Sequence, residues 1–81
     1  MVWLGVQKRI RTVSHILDGD PQVNDYDFKF DFGFFTLNID GGIQGSILVN
    51  ILRRFSEYDA VVKARGKNRI RITFFDRYYE G

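Results

Sequence analysis

Ala60-Val61-Val62-Lys63-Ala64-Arg65-Gly66-Lys67-Asn68-Arg69-Ile70-Arg71-Ile72-Thr73-Phe74 carries five positive side chains, no negative one, and a short polar break near its middle. Alternation of apolar and polar residues on either side of such a break predicts two strands joined by a turn. The turn length decides the faces. A three-residue loop Gly66-Lys67-Asn68 sets Arg65 opposite Arg69, Lys63 opposite Arg71 and Val61 opposite Thr73. Ala60, Val62, Ala64, Ile70, Ile72 and Phe74 then share the other face, and the hairpin hides them. A two-residue loop at Lys67-Asn68 sets Arg65 against Ile70 and scrambles both faces. Register follows the apolar pattern, so the three-residue loop is expected. Such a loop ends on a left-handed residue, a conformation Asn68 tolerates.

This register has an electrostatic consequence. Like charges directly opposite on a sheet face cost from a few tenths to about 1 kcal/mol per pair. Two such pairs stack side by side here, so an anionic group is expected over them. One source is nucleic-acid phosphate, neutralised by Lys63, Arg65, Lys67, Arg69 and Arg71. The other is carboxylates, either elsewhere in the chain or in a second subunit.

The rest of the chain supplies such carboxylates. Net charge is only +2, but residues 1–17 carry +3, residues 18–59 carry −5, residues 60–73 carry +5, and the tail carries −1. Block asymmetry of this kind marks a nucleic-acid face or a pairing of acidic with basic surfaces. The 81 residues make one small domain, residues 1–81. The chain has no cysteine, hence no disulfide staple and no thiolate metal site. The apolar start Met1-Val2-Trp3-Leu4 is too short for a signal peptide, and no apolar run reaches membrane-spanning length. A soluble, intracellular, cytoplasmic protein with no membrane partner is expected.

Upstream, Trp3, Val6, Ile10, Val13 and Leu17 form a helical stripe that stops at Gly19, with Pro21 shortly after. Lys8, Arg9, Arg11, Thr12 and Ser14 fall largely on the other surface. From Tyr26 the pattern alternates strictly. Tyr26, Phe28, Phe30, Phe32 and Phe34 share one face, and Asp25, Asp27, Lys29 and Asp31 share the other. The phase flips at Gly33-Phe34-Phe35, after which Phe35, Leu37 and Ile39 are the apolar set, with Thr36, Asn38 and Asp40 opposite. A one-residue phase shift at a glycine predicts a bulge or, as favoured here, a break between two strands. The Phe row reads as core, or more sharply as a stacking platform for unpaired bases.

Asp40-Gly41-Gly42-Ile43-Gln44-Gly45-Ser46 reads as a glycine-rich junction into a second helix. Ile47, Leu48, Ile51, Leu52, Phe55 and Tyr58 give its apolar stripe, Ser46 its expected N-cap, and Arg53 and Arg54 its favourable last turn. Backbone N–H groups at a helix start attract phosphate, so Gly42 and Gly45 are an accessory anion site. Neither the P-loop nor the G-x-G-x-x-G pattern is met. Gly42-Ile43-Gln44-Gly45, followed by Leu48 and Ile51, resembles the GxxG loop and second helix of KH domains over about thirty residues. That resemblance implies a nucleic-acid backbone clamped at the loop. KH domains place a helix before GxxG, whereas Phe34–Ile39 reads as strand, and their loop is basic where Ile43 and Gln44 stand. The short segment Val62-Lys63-Ala64-Arg65-Gly66-Lys67 is similar to a basic stretch of archaeal Alba chromatin proteins. A helix is expected next in that family, whereas Arg69–Phe74 reads as strand.

Asp25, Asp27 and Asp31 do not meet the EF-hand spacing and are expected to pair with Lys63, Arg65, Arg69 or Arg71. His15, the only histidine, has no nucleophile pattern beside it. No catalysis, cofactor or metal is therefore expected. The aromatic tail Phe75, Tyr78 and Tyr79 is placed to cover an edge or reach a partner.

These readings converge on an α+β fold, with two helices packed on one antiparallel sheet in the order α-β(β)-α-β-β. Two functions are expected to compete. One is a nucleic-acid-binding module using the basic hairpin, on DNA or RNA. The other is a protein-interaction or self-assembly module, such as a small viral or host-modulating protein, whose acidic and basic faces pair between subunits. A homodimer fits the small size.

Overall fold

A computed structural model describes residues 4–76. Its elements are α1 (Leu4–Asp18), β1 (Val23–Phe30), β2 (Phe34–Gly41), α2 (Gly45–Arg54), β3 (Tyr58–Ala64) and β4 (Arg69–Asp76). The fold is α+β, with an antiparallel sheet in the order β1-β2-β4-β3. The two outer strands therefore come from different halves of the chain. Trp3, Tyr78 and Tyr79 lie outside the described residues.

The stripe on α1 does what its spacing requires. Val6, Val13 and Leu17 are buried, with Ile10 packed beside them. Gly19 N–H closes the helix on the carbonyls of His15 and Ile16, both at 3.2 Å. Tyr26 ties β1 to the end of α1: its phenol donates to Asp18 Oδ1 at 2.8 Å and to the Ser14 carbonyl at 3.3 Å. Burial, helped by the Asp18 bond, raises the Tyr26 pKa above its usual 10.0.

The break at Gly33 separates β1 from β2, as the phase shift requires, and Gly33 takes φ 85° there. Asp31 N–H bonds to Phe34 O at 2.9 Å across the loop. The break also divides the Phe row. Tyr26, Phe28 and Phe30 face Ile39, Leu37 and Phe35 across the first hairpin, on the core side. Phe32 sits in the loop, 69% exposed. Phe34 does not join the row, because it belongs to the strand whose phase has flipped. It faces Phe75, on the side opposite to the buried Phe35 and Phe74.

The second helix is shorter than its apolar stripe. Ile51 is fully buried, Phe55 is the C-cap, and Tyr58 already begins β3. Ser46 lies inside α2. Gln44 holds the N-cap position and makes no side-chain cap bond. The acceptor comes from afar: Asp20 Oδ2 takes the Gln44 N–H at 3.1 Å, while Asp20 Oδ1 takes the Gln22 N–H at 2.9 Å. Asp20 is the one buried charged side chain among the described residues, 3% exposed.

Gly41 makes the junction possible. Its φ is 106°, and a Cβ there would lie 2.5 Å from Gln22 O and 2.8 Å from Asn24 N. No other residue fits without moving backbone. The Gly41 N–H reaches Asn68 O at 2.7 Å, and the Gly42 N–H reaches Gln22 O at 2.9 Å. The turn of the C-terminal hairpin is thereby fastened to the start of the α2 junction.

The hairpin has the expected register. Lys63 faces Arg71, Val61 faces Thr73, and Arg65 N–H donates to Arg69 O at 2.7 Å. Asn68 takes φ 59° at the loop end. One expectation fails on β3. Ile72 and Phe74 are buried and Ile70 half-buried, but Ala60, Val62 and Ala64 are exposed. The helices lie elsewhere: α1 packs on β1, and Phe55, at the end of α2, contacts Phe35 of β2 and Phe74 of β4. Among the described residues no helix covers the 59–64 segment of β3, an outer strand of the sheet. Arg9 clamps the connection from α2 into β3. Its guanidinium bonds the Arg54 carbonyl at 2.8 Å, pairs with Glu57, and lies 5.2 Å from the Phe55 ring centre.

Candidate nucleic-acid interface

The helix-free face of the sheet is built by alternation. Odd residues of β1 from Asp25 onward, odd residues of β3 and β4 and even residues of β2 point to it, because their neighbours face the core side; Val23 lies before a register shift and packs on the core. Strand pairing then sets them in rows. One row runs Asp25, Asp40, Arg69, Arg65, and the next runs Asp27, Asn38, Arg71, Lys63. The face is therefore acidic on its β1 side and basic on its β3–β4 side. A shallow trough between the two halves is lined by Asp25, Asp27, Asp40, Arg65, Arg69 and Arg71.

The charges compensate only in part. Arg69 Nε stands 3.7 Å from Asp40 Oδ1, with the two side chains 69% and 52% exposed. An exposed pair of that kind is worth about 0–1 kcal/mol. Arg71 Nε donates to Asn38 Oδ1 at 2.8 Å, a neutral partner that fixes the guanidinium without cancelling its charge. Lys63, Arg65 and Lys67 are exposed and have no carboxylate within 4 Å among the described residues. The expected pairing of β1 carboxylates with the hairpin thus does not form directly. β2 lies between them, and it is Asp40 of β2 that meets an arginine.

The hairpin cations and the Gly42–Gly45 segment share one end of the molecule, through the Gly41–Asn68 bond. Gly45 opens α2 with free space around it. A carboxylate is already present at that helix start, because Asp20 accepts the Gln44 N–H. Any anion at Gly42 and Gly45 meets that negative charge.

Two residues of the outer face stand where the sequence pattern does not put them: it sets Phe34 in the Phe row and Phe75 in the aromatic tail. Phe34 and Phe75 stand beside each other at the other end of it, ring centres 6.0 Å apart, with Phe75 38% exposed. The signal for both was phase. Phe34 is in step with Thr36, Asn38 and Asp40, and Phe75 with Arg69, Arg71 and Thr73.

Among the described residues no group of three or more His, Asp or Glu side chains is placed to hold a metal ion, and no helix is long and apolar enough to cross a membrane. No protein family, curated protein or solved structure matches this chain.

Proposed function

We propose that the chain binds single-stranded nucleic acid across the β3–β4 half of its open sheet face. The carrying observation is the run of exposed cations, Lys63, Arg65 and Lys67, that lack a carboxylate partner among the described residues. Arg69 and Arg71 extend the run along β4. The run suits a phosphate backbone, which releases counterions when lysine and arginine replace them. Phe75, exposed, with the half-buried Phe34 beside it, favours a single strand over a duplex, because only unpaired bases offer faces to stack on an exposed ring. The acidic β1 side would repel phosphate and keep the strand on the basic half. Nothing in the reading calls for catalysis. Gly42 and Gly45 lie outside this contact, because the Asp20 carboxylate that accepts the Gln44 N–H repels phosphate there.

Fluorescence anisotropy with single-stranded and duplex oligonucleotides, repeated over a range of salt, tests this. Five phosphate contacts give a log–log salt slope of about −3.5 on single strands. Arg65→Ala/Arg69→Ala is expected to bring it to about −2. An unchanged slope and affinity would remove the hairpin from the interface. Phe75→Ala is expected to weaken single-strand binding roughly 5- to 150-fold, the range for one lost base stack, and to leave duplex binding unaltered.

A second reading has its own observation. Asp25, Asp27 and Asp40 share the outer face with the cations, so the face is dipolar and complementary to a reversed copy of itself. On this reading the chain is an assembly or protein-interaction module, and a homodimer is its simplest form. It predicts concentration-dependent association in light scattering and no salt-sensitive affinity for either oligonucleotide.

A further inference from the structure

We infer that the Asp40–Arg69 pair in the trough reads guanine in the bound strand. The inference rests on the single-strand reading above and adds a base preference to it. The row Asp25, Asp40, Arg69, Arg65 crosses the sheet from negative to positive. A nucleotide is built with a similar polarity: its phosphate is anionic, and its base edge is neutral and carries hydrogen-bond donors and acceptors. Arg65, with Lys63 and Lys67 on the same hairpin, takes the phosphate. Asp40 lies two strands away from Arg65, about 10 Å across the sheet. That is the reach of one nucleotide from phosphate to base edge. Phosphate is repelled at Asp40, because Asp25 stands opposite it on β1 and adds a second carboxylate. What fits there is a neutral group that donates hydrogen bonds.

The Asp40 carboxylate has acceptors to spare. Arg69 Nε is 3.7 Å from its Oδ1, too long for a hydrogen bond, and both side chains are exposed. The pair therefore sets two acceptor oxygens beside a donor guanidinium, open to the trough. Guanine alone among the bases presents the matching edge: two adjacent donors, N1–H and the N2 amino group, next to the acceptor O6. Asp40 takes both donors. Arg69 donates to O6 and still lends its charge to the phosphate at Arg65. Adenine, cytosine, thymine and uracil lack two adjacent donors, so each sets a lone pair against the second carboxylate oxygen. The arrangement occurs at one place. On the next rung Asn38 replaces the carboxylate, and its Oδ1 is taken by Arg71 Nε at 2.8 Å. Asp25 has one oxygen on the Tyr26 N–H at 2.9 Å.

Anisotropy on oligothymidylates carrying one guanine, one inosine or neither at a central position tests this. Inosine keeps N1–H and O6 and lacks the N2 amino group. Guanine is expected to bind wild type roughly 5- to 150-fold tighter than thymine, with inosine between them. Asp40→Asn changes an exposed side chain, so the fold should hold, and an unchanged urea midpoint checks it. In this variant the guanine advantage should disappear. Plain oligothymidylate should bind no more weakly than to wild type, because a charge that repels phosphate has gone. The two roles of the carboxylate thus move affinity in opposite directions. A guanine advantage that survives Asp40→Asn would mean that Asp40 acts only by repelling phosphate. That result, or equal wild-type affinity for all three oligonucleotides, would overturn the inference and leave single-strand binding standing. No binding to any of the three would overturn the single-strand reading as well.

Discussion

Phe35→Ala is expected to lower the free energy of unfolding by about 3–5 kcal/mol. Phe35 is fully buried, and four rings surround it: Phe74 at 4.8 Å, Phe55 at 5.3 Å, Tyr58 at 5.5 Å and Phe30 at 5.6 Å between centres. Those rings come from β1, β4, the end of α2 and the start of β3, so one side chain joins four parts of the chain. Truncation removes its transfer free energy and leaves a cavity that rigid neighbours fill poorly. The aromatic pairs add about 0.5–1.5 kcal/mol each beyond burial, and these are lost too. A domain of 81 residues has in all about 4–12 kcal/mol to lose. The variant should therefore stay folded only in part at 37 °C. Urea unfolding should show a lower midpoint at an unchanged slope. Phe35→Leu keeps most of the volume and should lose much less. A loss under 1 kcal/mol for the alanine variant would mean that the cluster is not the centre of the core.

The same residue shows what could be read in advance. Phe35, Leu37 and Ile39 stand out as a buried set because the phase shift at Gly33 is local and the period is two. The hairpin register is equally local: three loop residues and a strict alternation decide it. α1 declares itself by four-three-four spacing. What could not be read is the pairing of β2 with β4, which joins Phe34 to Phe75 and Asp40 to Arg69 across an intervening helix and strand. Period and turn chemistry carry no information at that separation. The dipolar outer face follows from that one pairing, because it brings the acidic half of the chain beside the basic half. The exposure of Ala60, Val62 and Ala64 was hidden for a related reason. Alternation says which side of a strand is apolar, and helix placement says whether that side is covered. Ser46 is not the cap because α2 starts at Gly45, where the Gln44 carbonyl takes the Ile47 and Leu48 N–H groups, and the Gln44 N–H is held by Asp20, a tertiary contact.

That acceptor gives the second large effect. Asp20→Ala is expected to cost about 2–6 kcal/mol, since two backbone N–H groups lose a charged acceptor and each unsatisfied donor costs about 1–3 kcal/mol. Asp20 holds Gln22 N–H at 2.9 Å and Gln44 N–H at 3.1 Å from a buried position. Asp20→Asn offers one carbonyl oxygen and should fall between wild type and alanine. The consequence reaches the outer face. Gln22 O accepts Gly42 N–H, and the adjacent Gly41 N–H holds Asn68 O in the hairpin turn. Loosening Asp20 therefore frees the segment against which the Arg65–Arg69 turn is seated. Hydrogen exchange should report this before global unfolding does: in Asp20→Ala, protection at Gly41 and Gly42 should drop further than at Leu37 or Ile72. If protection falls equally everywhere, Asp20 stabilises the domain as a whole. If it falls at the junction first, the carboxylate is a local fastening, and oligonucleotide affinity should decline in the variant while the strands of the core remain intact.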